Sequence, residues 1–210
     1  MRGLKRQLKM KLLTIQFTKI CKSFFKKYKE EIKDIILFGS FIRGKIKPHD
    51  IDILIIFKTK INKDIEYELK KLLLKHAKNI SLLSKTEKEC IEPSFDAREG
   101  ILFEGYSLIN SRFLADEFGF VSFGLFFYNT KNMTNVKKTR FYYALNGRRS
   151  NKGLIDEWDA IKISDNIIAV PLDKIESTKE FFETLGITYK YLPSLIPRRM
   201  GRKEIIGRFK

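Results

Sequence analysis

Residues 35 to 57 read Ile35-Ile-Leu-Phe38-Gly39-Ser40-Phe-Ile-Arg43-Gly44-Lys-Ile-Lys-Pro-His49-Asp50-Ile51-Asp52-Ile-Leu-Ile-Ile-Phe57. Two short apolar, β-branched runs flank a polar segment punctuated by glycine and proline. Runs of this length and composition predict buried strands rather than one helix, so the stretch is read as strand, turn, strand. Side chains alternate faces along a strand, which puts Asp50 and Asp52 on one face at the head of the second run.

Two carboxylates held side by side repel unless a cation neutralises them. Hard oxygen donors suit Mg²⁺, which keeps waters and takes phosphate oxygens as its other ligands. Gly39 lets the backbone approach a ligand closely, and the Ser40 hydroxyl suits a phosphate oxygen. Successive N–H groups in such a turn form an anion-binding concavity, the more so where the turn opens a helix. Arg43 or Lys45 adds positive charge beside it. The residues therefore point to Mg²⁺ with a nucleoside triphosphate.

On these residues the stretch resembles the signature of the DNA polymerase β-type nucleotidyltransferase superfamily, and in compactness its minimal prokaryotic members. The matching elements are Gly39-Ser40, Arg43-Gly44 and Asp50-Ile51-Asp52. The resemblance implies an α+β fold, a nucleotidyltransferase-type mixed β-sheet flanked by helices. It implies that Gly39, Ser40 and Arg43 bind the triphosphate while Asp50 and Asp52 hold two Mg²⁺ ions. It further implies transfer of a nucleoside monophosphate, AMP from ATP, to an acceptor hydroxyl by in-line displacement, pyrophosphate leaving. Acceptors in the superfamily include nucleic-acid ends, protein side chains and small molecules. His49 stands where many relatives have Ser or Thr. Catalysing relatives carry a third carboxylate on a later strand, and that position falls near Ser81; Glu87, Glu89, Glu92 and Asp96 follow as candidates to replace it. A second reading follows from that gap: a catalytically weak scaffold that binds RNA, or a protein partner in an antitoxin-like role.

A formal charge of +17 over 210 residues favours polyanionic partners, RNA foremost, through counterion release. Cys21 and Cys90 have no metal-ligand spacing and suggest no disulfide framework, so a reducing cytoplasm is expected. No apolar run reaches the ~18 residues of a membrane span. A 43% hydrophobic share supports a core large enough for one domain with an appendage.

Around the motif, apolar residues at spacings of three and four predict a basic helix from Thr14 to Lys33 and another from Asp64 to Lys78, started by Asn62 or Asp64. His76 is read as a surface residue near the end of the second. Ile80 to Ser84 reads as a short strand, and 95–110 as a helix and strand that close the catalytic unit at 1–110. The region 111–210 is expected to be a smaller α/β extension. Gly119 to Tyr128 is strand-like but compatible with a helix start. Thr139 to Arg149 predicts a helix stopped at Gly147, 160–171 a hairpin about Asp165-Asn166, Ser177 to Leu185 a helix, and Ile187 to Leu192 a strand. Arg140, Arg148 and Arg149 beside Phe141, Tyr142 and Tyr143 form a basic-aromatic mixture suited to single-stranded nucleic acid, which core packing explains equally well. Arg198 and Arg199 begin a second basic patch that runs through Arg202, Lys203, Arg208 and Lys210.

Overall fold

The computed structural model describes residues 2–45 and 48–200, apart from the side chains of 2–7 and 9. The basic tail from Arg202 to Lys210 lies outside the described residues. The chain forms two compact units, Met1–Glu117 and Phe118–Lys210. The division falls after Glu117 rather than after Asn110, because Arg112 and Phe113 pair back onto Tyr106 and Ser107.

In the first unit, α1 (Arg2–Lys27) leads into β1 (Ile32–Phe38) and β2 (Ile51–Phe57). There follow α2 (Lys63–Leu74), β3 (Ile80–Thr86), α3 (Glu87–Ile91) and α4 (Arg98–Glu104). The unit closes with β4 (Tyr106–Ser107), β5 (Arg112–Phe113) and α5 (Leu114–Glu117). The five strands form a sheet in the order β3-β2-β1-β4-β5. Only the β2–β3 pair is parallel, and α2 makes the crossover that a parallel pair needs.

The alternation of the motif strands sorts their side chains onto two faces. Ile35 and Leu37 of β1, with Ile51, Ile53, Ile55 and Phe57 of β2, pack under Phe17, Cys21 and Phe24 of α1 and Ile65, Leu69 and Leu73 of α2. Ile36 and Leu54 turn the other way, onto Phe95 and Ile101. Asp52, two residues before Leu54, shares that second face. Asn62 caps α2 as expected, its Oδ1 accepting from the N–H groups of Asp64 (3.1 Å) and Ile65 (3.4 Å). The first helix ends at Lys27, short of the expected Lys33, because Ile32 is fully buried and opens β1 six positions before the motif glycine's neighbour. No helix among the described residues is long and apolar enough to cross a membrane.

The second unit comprises β6 (Phe120–Asn129), α6 (Asn135–Asn146), the small hairpin β7 (Gly147–Arg148) and β8 (Asn151–Lys152), and α7 (Leu154–Glu157). It continues with β9 (Ile161–Ser164), β10 (Ile167–Pro171), α8 (Ile175–Thr184) and β11 (Thr188–Pro197). Its sheet runs β11-β6-β10-β9, with antiparallel neighbours throughout. The ambiguous stretch from Gly119 is thus the central strand β6. Phe126, fully buried, meets the rings of Phe182, Tyr189 and Tyr191. The helix α6 starts at a Thr134 cap and ends at Gly147, whose φ of 86° needs glycine.

One buried carboxylate crosses the first sheet. Asp34 Oδ1 accepts from the Ser107 hydroxyl (2.8 Å) and the Ile35 N–H (2.7 Å). Burial nevertheless pushes its pKa above the usual carboxylate range. The charged form is therefore the costly one, so its penalty is absent at low pH and complete once pH exceeds the raised value. In Asp34→Asn, a single oxygen can still accept both bonds without charge. Urea unfolding of the two proteins should show the wild type losing stability relative to Asp34→Asn as pH rises from the ordinary carboxylate range to neutrality. A pH-independent difference would contradict the assignment.

Candidate active site

The turn between β1 and β2 is compact. The Gly39 carbonyl accepts from the N–H groups of Ile42 (3.1 Å) and Arg43 (3.3 Å), and the Ser40 carbonyl from Lys45 (2.9 Å). Gly39 and Gly44 sit at φ of 80° and 86°, a region that side chains disfavour. No α-helix opens here, so the turn has no helix dipole behind it, and the N–H groups of Gly39, Ile42, Arg43, Gly44 and Lys45 are all taken up by hydrogen bonds. Gly39 is buried, while Ser40 and Arg43 are half-exposed.

Gly39 and Asp52 are brought into direct contact. A Cβ placed on Gly39 would lie 2.1 Å from Asp52 Oδ2, closer than any real pair of atoms tolerates. Asp52 is half-buried at the head of β2, with Asp50 exposed just before the strand. Burial first, then the charges of Asp50 and Glu104, raise the Asp52 pKa, and Arg43 opposes them. That accumulation of negative charge is what a divalent cation would relieve, and the oxygen donors match one. Asp50 also borders a depression of about 390 Å³ shared with His49, Lys78, Asn79 and Ser81. The Asn79 side chain donates to the His49 carbonyl (2.9 Å), and the Asn79 carbonyl accepts from the Ile51 N–H (3.1 Å), tying the approach to β2 onto β3.

Ser81 stands beside Asp52 in the parallel β2–β3 ladder, on the same side of the sheet. Ser81, the position where the resemblance leads one to expect a third carboxylate, thus carries a hydroxyl beside Asp52. Of the four acidic candidates that follow, Asp96 is exposed and the other three have partners of their own. Glu89 forms a capping box with Thr86, Glu87 pairs with Lys33 (3.1 Å), and Glu92 accepts from Ser94 (3.5 Å). Among the described residues no three His, Cys, Asp or Glu side chains come together as a metal-binding group. Arg140, Arg148, Arg149, Arg198 and Arg199 all belong to the second unit, where each is exposed.

The sequence reading overlooked Glu104. This carboxylate is 6% exposed, and Oε1 accepts from the Gly39 N–H (2.7 Å) while Oε2 pairs with the Arg43 guanidinium. Both ends of the turn are thereby fastened to α4. Its signal was a lone carboxylate inside Ile101-Leu-Phe-Glu104-Gly-Tyr, since an ionised side chain in an apolar run is rarely buried without a partner. Glu104→Ala should lower unfolding free energy by roughly 3 kcal/mol, the scale of breaking a buried charged contact. Glu104→Gln, which retains an oxygen for the Gly39 N–H, should cost about half as much. Urea denaturation reads both, and an alanine variant as stable as the wild type would exclude Glu104 as the anchor of the turn.

With this geometry established, residues 19–98 match the family model Polymerase beta, Nucleotidyltransferase. A search of curated proteins finds no match. Among solved structures, the chain is similar to a complex of tri-AMPylated Shewanella oneidensis HEPN toxin with MNT antitoxin. That likeness has 17% identity and a TM-score of 0.31, and spans 47% of this chain and 71% of the other. It is similar as well to a toxin–antitoxin with AMP-PNP, at 18% identity and a TM-score of 0.32 over 43% of this chain and 71% of the other. The motif and the strands β1, β2 and β3 that carry it fall within residues 19–98, the segment that matches the polymerase β nucleotidyltransferase family model.

Proposed function

We propose that the first unit transfers a nucleoside monophosphate, AMP from ATP, onto an acceptor hydroxyl. The observation that carries this reading is the contact of Asp52 with Gly39, which sets a carboxylate against the turn suited to a triphosphate. In this reading the N–H groups of Ser40 and Phe41 and the Ser40 hydroxyl bind phosphate oxygens. Arg43, held by Glu104, supports them with positive charge at a fixed position. Asp50 and Asp52 are the ligands for Mg²⁺, and their chemistry fits that ion. When bound, the metal would polarise the phosphate and favour the ionised acceptor oxygen. The two-ion arrangement would draw its remaining ligands from water and triphosphate oxygens, because Ser81 supplies no charge. The +17 charge favours a nucleic-acid acceptor over a protein side chain.

Asp52 also has a role that precedes chemistry. Its raised pKa means the folded protein resists ionising it, so cation binding and Asp52 ionisation promote each other. A second reading, in which the scaffold binds RNA or a protein partner without turnover, draws on the register of Ser81 with Asp52.

Labelling with ATP carrying a tagged α-phosphate, in Mg²⁺ and with total RNA or protein as acceptor, separates the two. Transfer by the wild type should fall by at least about a hundredfold in Asp52→Asn, the scale of losing a positioned charge at a reacting phosphate. The same variant should lose the rise in melting temperature that Mg²⁺ gives the wild type. Transfer undiminished in Asp52→Asn would reject the assignment, and Mg²⁺-independent nucleotide binding without product would favour the second reading.

A further inference from the structure

The helix α6 in the second unit has two unlike faces. Phe141 and Leu145 are buried, with the Phe141 ring against Tyr128 and Phe182. Tyr142 and Tyr143 are 55% and 39% exposed. The two rings are adjacent, their centres 6.0 Å apart, and together present one aromatic surface.

They stand at an open groove of about 610 Å³, between α6 and the turn of the β9–β10 hairpin. Its floor is apolar, formed by Tyr128, Phe141 and Leu145, and Lys138 and Lys162 line it. This volume falls within the ~300–1,000 Å³ of ordinary ligand sites. Each exposed ring already has a cation beside it. Lys162 Nζ lies 6.0 Å from the Tyr142 ring centre, and the Arg148 guanidinium 4.8 Å over Tyr143. The hydroxyl of Tyr128 donates to the Asp165 carbonyl (2.8 Å), which holds the hairpin turn at the rim.

The segment that carries α6 is cationic throughout. From Thr130 to Gly153 the cationic residues are Lys131, Lys137, Lys138, Arg140, Arg148, Arg149 and Lys152, and there is no Asp or Glu. The acidic group at the rim, Asp165, is paired with Lys162 (2.9 Å). Lys138 and Lys162 in the groove and Arg148 over Tyr143 set several cations beside exposed ring faces, more than one small anion needs. Repeating phosphates with unpaired bases satisfy both features. A duplex would satisfy only the charge, because its base faces are stacked internally.

We infer that this groove of the second unit binds single-stranded nucleic acid, one base stacking on Tyr142 and flanking phosphates meeting Lys138 and Lys162. Arg140, Arg148 and Arg149 extend the phosphate track beyond the groove. The site lies wholly within the second unit and does not depend on the chemistry assigned to Asp50 and Asp52.

Fluorescence anisotropy on the full chain tests it, using labelled twelve-nucleotide oligouridylate and oligodeoxythymidylate, a duplex of equal length, and polyglutamate. Both single strands should bind more tightly than the duplex or the polypeptide, with affinity falling steeply as salt rises. Tyr142→Ala should weaken binding about tenfold at every salt concentration, and Tyr142→Phe should restore it. Lys138→Ala should weaken binding and reduce the salt slope by about one. Both positions are at the surface, and unchanged circular dichroism would show that the fold persists. Equal binding of the duplex or polyglutamate, or wild-type affinity in Tyr142→Ala, would overturn the proposal. A wild type that binds strands through Tyr142 but labels no acceptor leaves the groove standing and refutes only the transfer reading.

Discussion

A carboxylate oxygen packed where a β-carbon would otherwise sit is the constraint on which the candidate site depends. Asp52 Oδ2 occupies that space against Gly39, and any side chain at 39 would displace it. The contact requires β1 and β2 to be neighbours in one register, with Phe38 opposite Asp52. That register is secured by the two apolar faces of the strands, since a slip by one residue would turn every buried isoleucine toward the wrong layer. The hydrophobic core and the polar site are thus two consequences of one alignment.

The negative charge gathered there is balanced by placement rather than by number. Glu104 spends both oxygens on the turn, one on the Gly39 N–H and one on Arg43, and still raises the cost of ionising Asp52. Such an arrangement holds the loop stiffly while leaving Asp52 and Asp50 short of positive charge. Stiffness matters for phosphate chemistry, because donors already in position need no reorganisation when charge develops. Glu87, Glu89 and Glu92, just after β3, are engaged elsewhere. Glu89 and Thr86 satisfy each other's polar groups at the start of α3, a short-range competition that no distant metal site readily wins.

The second unit applies the same division to aromatic residues. Phe126, Tyr128, Phe141 and Phe182 form a mutually tilted cluster under the sheet, and Tyr142 and Tyr143 remain outside it. In the sequence Phe141-Tyr142-Tyr143 all three were open to either core packing or a ligand surface. The choice came from helix geometry, since successive residues turn by about 100° and only one of three adjacent side chains can face a given sheet.

The sequence by itself determined the strands of the motif, a helix start at Asn62 or Asp64, the helix stop at Gly147 and the hairpin at Asp165-Asn166. Each of these follows from residues within a few positions, where backbone sterics and period-two alternation operate directly. Tertiary structure alone decided that Lys33 belongs to a strand and not to the first helix, that Glu104 fastens a turn sixty-five residues away in sequence, and which tyrosines line a groove. Those outcomes depend on which elements meet across the sheet, and burial energy summed over a whole layer outweighs the weak local preferences that a linear reading can weigh.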